Sequence, residues 1–325
     1  MTVRLVICPD KFAGTLSAIE AADAIAQGWL QRRPHDEVVR IPLADGGPGF
    51  VEVLHATLGG VLHEQTVHDP LGRPVAAQWL QVGDTAYIEA AQANGLALLG
   101  PDERDPARAS TRGVGELIAA AAGAASIVVG LGGSGTNDGG RGAYEALAGR
   151  VVAGLVLATD VDSPLLGPQG ATYGFAVQKG AAPEQLPDLE LRMRRWAEQD
   201  PVLAQAPGAG AAGGLGYGLM LLGGRRVPGV DVVMRAVGLA QACEDADLVI
   251  TGEGKFDWQS LHGKVASGVR EAAGEVPVVV IAGQVAIEDP PLTAYSLVEQ
   301  VGEQRAMAEP ATALAECAAR LAGTF

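Results

Sequence analysis

Hydrophobic residues along the chain fall into short runs of strand length, and helical patterns lie between them. The runs are rich in Val, Ile and Leu without clean alternation, as expected for parallel strands that are buried on both faces. They are residues 3–8, 37–43, 126–131, 151–158, 247–252 and 276–283. The helical patterns are residues 17–33, 113–123, 183–199 and 309–322. Strands that alternate with helices predict an α/β protein with a mostly parallel, Rossmann-like sheet.

The first helical pattern carries its own start signal. Ser17 and Glu20 have the spacing of a capping box, in which the hydroxyl and the carboxylate each accept a backbone amide. Ile19, Ala22 and Trp29 then recur on one face of the predicted helix. We therefore expect an amphipathic helix that begins directly after Ser17.

The segment 61–90 has a different pattern from the rest of the chain. It contains three short alternating stretches, separated by turn signals at DPLGRP and VGD. This pattern predicts three antiparallel strands, and the change of style indicates a second domain inserted into the first. We expect a discontinuous domain of residues 1–65 and 229–325, and an inserted second α/β domain of residues 66–228.

Composition narrows the classes of partner and compartment. The 325 residues carry a formal net charge of −15, which argues against a nucleic-acid partner because phosphate backbones require Lys and Arg surfaces. Two stretches with little charge, 117–137 and 201–224, are interrupted by Gly, Ser or Pro and predict no membrane span. The three cysteines are far apart, which predicts a reducing cytoplasm and neither a disulfide framework nor a zinc site.

Four of the predicted strands run directly into polar loops that contain glycine and acidic residues. In an open parallel sheet, ligands bind beyond the carboxyl ends of the strands, so these loops are candidates for one common site. The loops are PDKFAGTLS (9–17), ADGGPG (44–49), GGSGTNDGG (132–140) and TGEGKFDWQ (251–259).

The stretch GLGGSGTNDGGRG, residues 130–142, holds seven glycines and supports three interpretations. The first is a turn, and the second is an anion site built from backbone amides ahead of a helix that starts near Asn137 or Asp138. The third is a dinucleotide fingerprint, because residues 130–135 spell GxGxxG after a strand and Asp160 ends the next strand. The stretch lacks the lysine of a P-loop and the GxSxG elbow of a serine hydrolase.

Six acidic residues in or beside these loops are more than one general base requires. Together they are typical of phosphoryl transfer, in which carboxylates hold Mg²⁺ against phosphates and one accepts the proton of the attacking hydroxyl. They are Asp10, Asp45, Asp138, Asp160, Glu253 and Asp257. The lysines available to neutralise phosphate charge are Lys11, Lys179, Lys255 and Lys264. The five histidines lack metal-binding spacing, so a histidine-held metal is not predicted.

These loops, in this order, resemble the bacterial glycerate kinase family. The most specific matches are GGSGTND and DLVITGEGKFDWQSLHGK, and others cover nearly the whole chain, among them PDKFAGTLSAIEAADAI, PLADGG, DPLGRPV, STRGVGELI, QKGA and PGAGAAGGLGYGL. The resemblance implies transfer of the γ-phosphoryl group of ATP to D-glycerate, giving 2-phosphoglycerate, in a cytoplasmic Mg²⁺-dependent enzyme. It also implies two α/β domains with the active site in the cleft between them.

The resemblance suggests roles for the candidate residues. The catalytic candidates are Asp45, Asp138, Asp160 and Lys179, and the candidate Mg²⁺ ligands are Asp45 and Asp138. The candidates for binding substrate and phosphate are Asp10, Lys11, Gly132, Gly133, Ser134, Gly135, Thr136, Asn137, Glu253 and Asp257. Asp138 either caps the following helix or reaches the metal, and the identity of the general base stays open. We expect D-glycerate and ATP as small-molecule partners of a monomer or homodimer.

The chain departs from the family pattern at several places. Lys11 and Ala13 replace the usual Ser and Lys, Pro48 stands where Glu is usual, Ser163 stands where Asn is typical, and the stretch 147–151 is shortened. One alternative is therefore a non-catalytic sensor that binds glycerate or a sugar acid on the same fold. Another is an NAD-linked hydroxy-acid dehydrogenase that uses GLGGSG, although this leaves ADGG and TGEGKFD without a role.

Overall fold

The computed structural model describes residues 2–12, 14–261 and 265–325. Ala13 and Lys264, both named above, lie outside these residues. The chain divides into two compact units. Unit 1 comprises Met1–Asp45, Glu52–Leu58 and Val230–Phe325, and unit 2 comprises Gly46–Val51 and Gly59–Gly229. The domain boundaries expected from the sequence stay a prediction.

The two units contain the following regular elements. The strands are β1 (Arg4–Ile7), β2 (Glu37–Arg40), β3 (Val61–His68), β4 (Pro74–Val82), β5 (Thr85–Glu89), β6 (Ser126–Gly130), β7 (Leu155–Ala158), β8 (Arg225–Val227), β9 (Leu248–Phe256), β10 (Val278–Val285) and β11 (Thr293–Ser296). The helices are α1 (Ala18–Arg32), α2 (Phe50–Leu58), α3 (Ala91–Asn94), α4 (Arg112–Ala120), α5 (Arg141–Ala146), α6 (Ala171–Phe175), α7 (Leu186–Ala197), α8 (Ala211–Leu221), α9 (Gly229–Ala236), α10 (Leu239–Cys243), α11 (Val265–Ala273), α12 (Leu297–Val301), α13 (Glu303–Ala308) and α14 (Pro310–Ala322).

The sheet of unit 1 has the strand order β11-β10-β9-β1-β2, and all of its pairings are parallel. The predicted capping box is confirmed at the start of α1, since the amide of Glu20 donates to Ser17 Oγ at 3.2 Å and the amide of Ser17 donates to Glu20 Oε2 at 2.9 Å. Helices α1 and α14 pack closely at Gly28, where a Cβ atom would lie 1.9 Å from the carbonyl oxygen of Ala315. The predicted parallel sheet is confirmed.

The sheet of unit 2 has the order β3-β4-β5-β6-β7-β8. The β3–β4 and β4–β5 pairings are antiparallel, and the pairings from β5 to β8 are parallel. The three antiparallel strands predicted within 61–90 are therefore confirmed. The core beside the parallel strands includes Leu117, Val129 and Leu215, all of which are fully buried. Both units are thus α/β, and their strands are mostly parallel.

The helix expected near Asn137 or Asp138 begins later, at Arg141 of α5. Gly139 and Gly140 have φ angles of +72° and +73°, in the left-handed region that a right-handed helix cannot include. The loop after β6 is therefore longer than predicted, and the prediction of the helix start was wrong. Its glycines shape an extended polar loop before the helix.

Strand β9 is longer than the run 247–252 that predicted it, because it continues to Phe256. It stays paired with β10, where Lys255 lies opposite Gln284 and the buried Phe256 lies opposite Val285. Gly252 pairs with Ile281 of β10, and a Cβ atom there would lie 2.3 Å from the carbonyl oxygen of Ile281, so this strand position requires glycine. The predicted loop TGEGKFDWQ is therefore mostly strand.

Two further features concern the chain as a whole. No helix among the described residues combines the length and the apolar character that crossing a bilayer requires. Cys8, Cys243 and Cys317 are free thiols, and all three are buried. This state agrees with the expectation that the cysteines form no disulfide framework.

Candidate active site

Unit 1 places Asp10, Lys11 and Asp45 together beyond the carboxyl ends of β1 and β2. The amide of Asp10 donates to the carbonyl oxygen of Gly252 at 2.8 Å, so the loop after β1 continues along β9. Lys11 Nζ lies 3.3 Å from Asp45 Oδ1 and 3.7 Å from Asp10 Oδ1. The three side chains are only partly exposed. A cation thus bridges two carboxylates at the edge of the sheet where ligands of parallel sheets bind.

Glu253 and Asp257 follow on β9 and differ in their surroundings. Glu253 comes directly after Gly252, so it extends the edge that carries Asp10. Asp257 begins a 3₁₀ turn over Trp258–Leu261, because its Oδ1 accepts the amide of Gln259 at 2.9 Å and its own amide donates to Ser260 Oγ at 3.1 Å. These bonds give Asp257 a structural role as a turn cap.

In unit 2, the loop after β6 packs tightly against the segment 46–48. The amide of Gly132 donates to the carbonyl oxygen of Gly46 at 3.0 Å. A Cβ atom at Gly132 would lie 2.3 Å from Gly47 Cα, and one at Gly133 would lie 2.7 Å from Pro48 Cγ. The first glycines of GGSGTND are therefore required for close packing of two backbone segments.

The other side of the same loop contacts the segment PGAGAAGGLGYGL, for which the sequence pattern predicted no chemical role. Ala212, Gly213 and Gly214 have φ angles of 52°, 69° and 86°, which form a left-handed turn that interrupts α8 near its start, so its regular right-handed part follows Gly214. The amide of Gly139 donates to the carbonyl oxygen of Gly213 at 3.0 Å, and a Cβ atom at Gly213 would lie 1.9 Å from the carbonyl oxygen of Thr136. Two glycine-rich segments thus meet backbone to backbone.

Lys179 is the buried cation beside this loop. Lys179 is the last residue of a 3₁₀ turn, Val177–Lys179, and it is 4% exposed. Its Nζ donates to Ser134 Oγ at 2.8 Å and to the carbonyl oxygen of Thr136 at 2.9 Å. Burial lowers the pKa of Lys179 from 10.5 to about 7, while the charge of Asp138 acts in the opposite direction.

The carboxylate of Asp138 accepts hydrogen bonds from its own loop and from Thr111. Its oxygens accept the amides of Gly140 and Gly142 at 2.9 and 3.1 Å, and the amide of Thr111 at 2.8 Å. The Thr111 hydroxyl also donates to both oxygens, at 3.1 and 2.9 Å. The pKa of Asp138 is raised above its usual value because burial outweighs these hydrogen bonds, which act to lower it. Of the two roles expected for Asp138, the contacts favour capping of α5.

Asp160, Thr136 and Asn137 also have identifiable contacts within unit 2. Asp160 Oδ1 accepts the amide of Gly229, the first residue of α9, at 2.9 Å. Thr136 and Asn137 are buried, and Asn137 Nδ2 donates to Thr172 Oγ1 at 3.3 Å. These contacts make Thr136 and Asn137 part of the support of the loop.

A cavity of about 380 Å³ opens beside Lys179 in unit 2. Its polar wall comes from the glycine loops and from Lys179, and its apolar wall comes from Leu, Val and Phe side chains. It is lined by Leu96, Leu131, Gly132, Gly133, Ser134, Val161, Phe175, Gln178, Lys179, Gly210, Ala211, Ala212 and Gly213. The structure therefore brings together four of the predicted residues here: Gly132, Gly133, Ser134 and Lys179.

Comparison with known proteins agrees with this geometry and with the motifs. The sequence profile of the glycerate kinase family matches residues 5–154 and 151–325. The chain belongs to the glycerate kinase family. The glycerate kinase of Bacillus subtilis (strain 168) is 41% identical over 326 residues, which cover 87% of this chain and 85% of the relative. The glycerate 2-kinase of Escherichia coli (strain K12) is 39% identical, with 86% and 85% covered.

A solved structure supports the same conclusion. The crystal structure of a protein provisionally named glycerate kinase 2, from Salmonella typhimurium LT2, has a TM-score of 0.83 and 34% identity, and the match covers 100% of this chain and 98% of that one. Membership of the glycerate kinase family makes the chain a phosphotransferase. The dehydrogenase interpretation of GLGGSG is therefore set aside.

A glycerate kinase uses ATP, and Mg²⁺ is the cation on which phosphoryl transfer generally depends. The part of the chain that the structure describes contains no group of three or more His, Cys, Asp or Glu placed to hold a metal ion. Mg²⁺ in such enzymes needs only one or two carboxylates, because phosphates and waters complete its coordination. Asp10 and Asp45, which both lie within 4 Å of Lys11 Nζ, fit that requirement.

The sequence pattern did not predict one buried acid of unit 2. Glu89 ends β5 opposite Gly130 of β6 and is 7% exposed. Its Oε2 accepts the amide of Gly49 at 3.0 Å. Its signal was a lone carboxylate at the end of a predicted strand, which the pattern of glycine loops did not single out.

Proposed function

We propose that the chain transfers the γ-phosphoryl group of ATP, bound with Mg²⁺, to the 2-hydroxyl of D-glycerate. The family supports kinase activity, and the name of the E. coli relative, glycerate 2-kinase, supports the choice of hydroxyl. The observation that carries the site is the buried ammonium of Lys179 behind a cavity lined by glycine backbone.

We propose that this cavity of unit 2 binds an anionic group, either a phosphate of the nucleotide or the carboxylate of glycerate. Lys179 Nζ has three protons, and the contacts to Ser134 and Thr136 use two. The backbone amides of Gly133 and Ser134 donate to no acceptor among the described residues, and both residues line the cavity. Many enzymes bind phosphates with backbone amides together with a cation.

For unit 1, we propose that Asp45 or Asp10 accepts the proton of the attacking hydroxyl, and that Lys11 offsets the charge of the transferred group. A phosphoryl group in transfer spreads negative charge over its oxygens, so cations and a positioned carboxylate supply most of the catalysis. The other carboxylate of this pair would hold Mg²⁺, which supplies further neutralisation of phosphate charge. Asp257 would orient the strand edge that carries Glu253.

The test is a coupled assay of ADP formation with ATP, Mg²⁺ and a panel of hydroxy acids, followed by phosphorus NMR of the product. We expect D-glycerate to be the preferred acceptor and 2-phosphoglycerate to be the product. Formation of 3-phosphoglycerate would overturn the choice of hydroxyl. Binding of glycerate without any phosphoryl transfer would support the sensor interpretation.

A pair of variants tests the carboxylate. We expect Asp45→Asn to lower kcat by about 100-fold or more, because loss of a general base has effects of that size. Asp289→Asn, which removes the same charge from an exposed residue of unit 1, is the matched control and should leave kcat unchanged. Near-normal turnover of Asp45→Asn would remove Asp45 from the catalytic residues.

A further inference from the structure

Glu89 is a buried carboxylate that the proposed mechanism does not use. It lies at the carboxyl end of β5, and its Oε2 accepts the amides of Gly49 and Val51 at 3.0 and 3.4 Å. Burying a carboxylate is costly unless hydrogen bonds compensate, so these contacts are a strong constraint on both partners. Gly49 and Val51 flank the first residue of α2, where helix amides lack partners and a negative charge is favourable.

The segment held by Glu89 continues directly into the wall of the glycine loop. The carbonyl oxygen of Gly46 accepts the amide of Gly132 at 3.0 Å, and a Cβ atom at Gly130 would lie 2.5 Å from the same oxygen. Pro48 packs against Gly133 with similar closeness. These atoms are in close contact, so a shift of the segment 46–49 must also move the loop after β6.

We propose that Glu89 is a positioning residue that clamps the segment 46–49 and thereby holds Gly132 and Gly133 in place at the cavity of unit 2. The proposal rests on the proposed function of that cavity as an anion site. Pro48 makes the clamp necessary because it has no amide of its own to anchor the segment, so anchoring relies on the amides on either side. Glu89 supplies the one side chain seen to accept the amides of Gly49 and Val51 within the described residues.

A purely structural cap and a positioning residue predict different results. A cap contributes to stability and has no effect on turnover once the protein is folded. A positioning residue changes turnover in protein that remains folded, because displacing reacting groups by about 1 Å can lower rates about 100-fold. The separation of kcat from stability therefore decides between the two.

The experiment compares Glu89→Gln with Glu116→Gln as matched control. Glu116 is also a glutamate of unit 2 that accepts a backbone amide, that of His68 at 2.9 Å, and it lies outside the glycine loops. We expect Glu89→Gln to lower kcat about 10- to 100-fold with the best acceptor of the hydroxy-acid panel. We also expect faster hydrogen exchange at the amides of Gly49, Val51 and Gly132. The control should change neither quantity.

Two results would overturn the proposal. One is a kcat of folded Glu89→Gln within twofold of the wild type, and the other is unchanged exchange at Gly132. If Glu89→Gln does not fold, Glu89→Asp takes its place, since it keeps the charge but withdraws the oxygens by one methylene. It should show the same two changes. The exchange measurement needs no substrate, so it tests the clamp even if the chain proves not to phosphorylate glycerate.

Discussion

Replacement of Lys179 by methionine should stabilise the protein at neutral pH while removing its anion site. Methionine has a similar length and no charge, so it fills the space of a side chain that is 4% exposed. The wild-type lysine is held by Ser134 Oγ and by the carbonyl oxygen of Thr136, and burial lowers its pKa to about 7. A buried ammonium of this kind serves binding at the expense of stability.

The magnitude follows from the pKa of Lys179 and from the lost contacts. Moving that pKa from 10.5 in the unfolded chain to about 7 in the folded protein costs roughly 5 kcal/mol while the lysine is protonated. Between those values the unfolded chain binds more protons, so the cost falls as the pH rises and vanishes above 10.5. Leaving the carbonyl oxygen of Thr136 without this donor costs about 1–3 kcal/mol in the variant. The variant should therefore be more stable by about 2–4 kcal/mol at pH 7.

The assay is urea unfolding of both proteins at pH 7 and again near pH 9.5, where the advantage of Lys179→Met should disappear. Lys255→Met is the matched control because Lys255 is 58% exposed, and it should show no such pH-dependent difference. A variant less stable than the wild type at pH 7 would refute the reasoning, as would an equal difference at both pH values. Kinetics of the same variant should show a raised KM for an anionic substrate.

Three further predictions follow from the same unit and from α1. Gly213→Ala should lower the free energy of unfolding by about 2 kcal/mol or more, because its Cβ would lie 1.9 Å from the carbonyl oxygen of Thr136. The control Gly123→Ala, which has open space around it, should be nearly neutral. Ser17→Ala should lose about 1 kcal/mol of unfolding free energy through loss of the capping box, and an unchanged urea midpoint would contradict this. Sulfate binding at pH 8 should take up protons, detected by calorimetry in two buffers, because an anion raises the pKa of Lys179 from about 7.

Much of the fold could be predicted because its signals are local. The capping box at Ser17 and Glu20, the alternation within 61–90 and the Val- and Ile-rich runs each depend on neighbours a few residues apart. The end of β9 could not be predicted in this way. Its last residues are strand because β10 continues beside them and because Phe256 is buried, and both facts depend on residues more than twenty positions away.

The roles of the acidic residues were harder to predict than their presence. An aspartate beside glycines has the same letters whether it holds a metal or caps a turn, and only the positions of nearby amides distinguish the two. Asp138 accepts backbone amides, and Asp45 faces Lys11 Nζ. Asp10 and Asp257 each do both, because each accepts one amide and lies within 4 Å of a lysine Nζ. Lys179 shows the same limit, since a lysine in a glycine-rich stretch gives no sign in the sequence that it is buried.

The distribution of the cysteines makes the two units distinguishable to a chemical reagent. Cys8, Cys243 and Cys317 all belong to unit 1, and burial raises the pKa of each thiol, so none is a ready nucleophile in the folded state. An alkylating agent therefore modifies the protein only when unit 1 opens. The labelling rate, measured by mass spectrometry, therefore reports the opening rate of unit 1. It does not report openings of unit 2, which carries the glycine loop after β6.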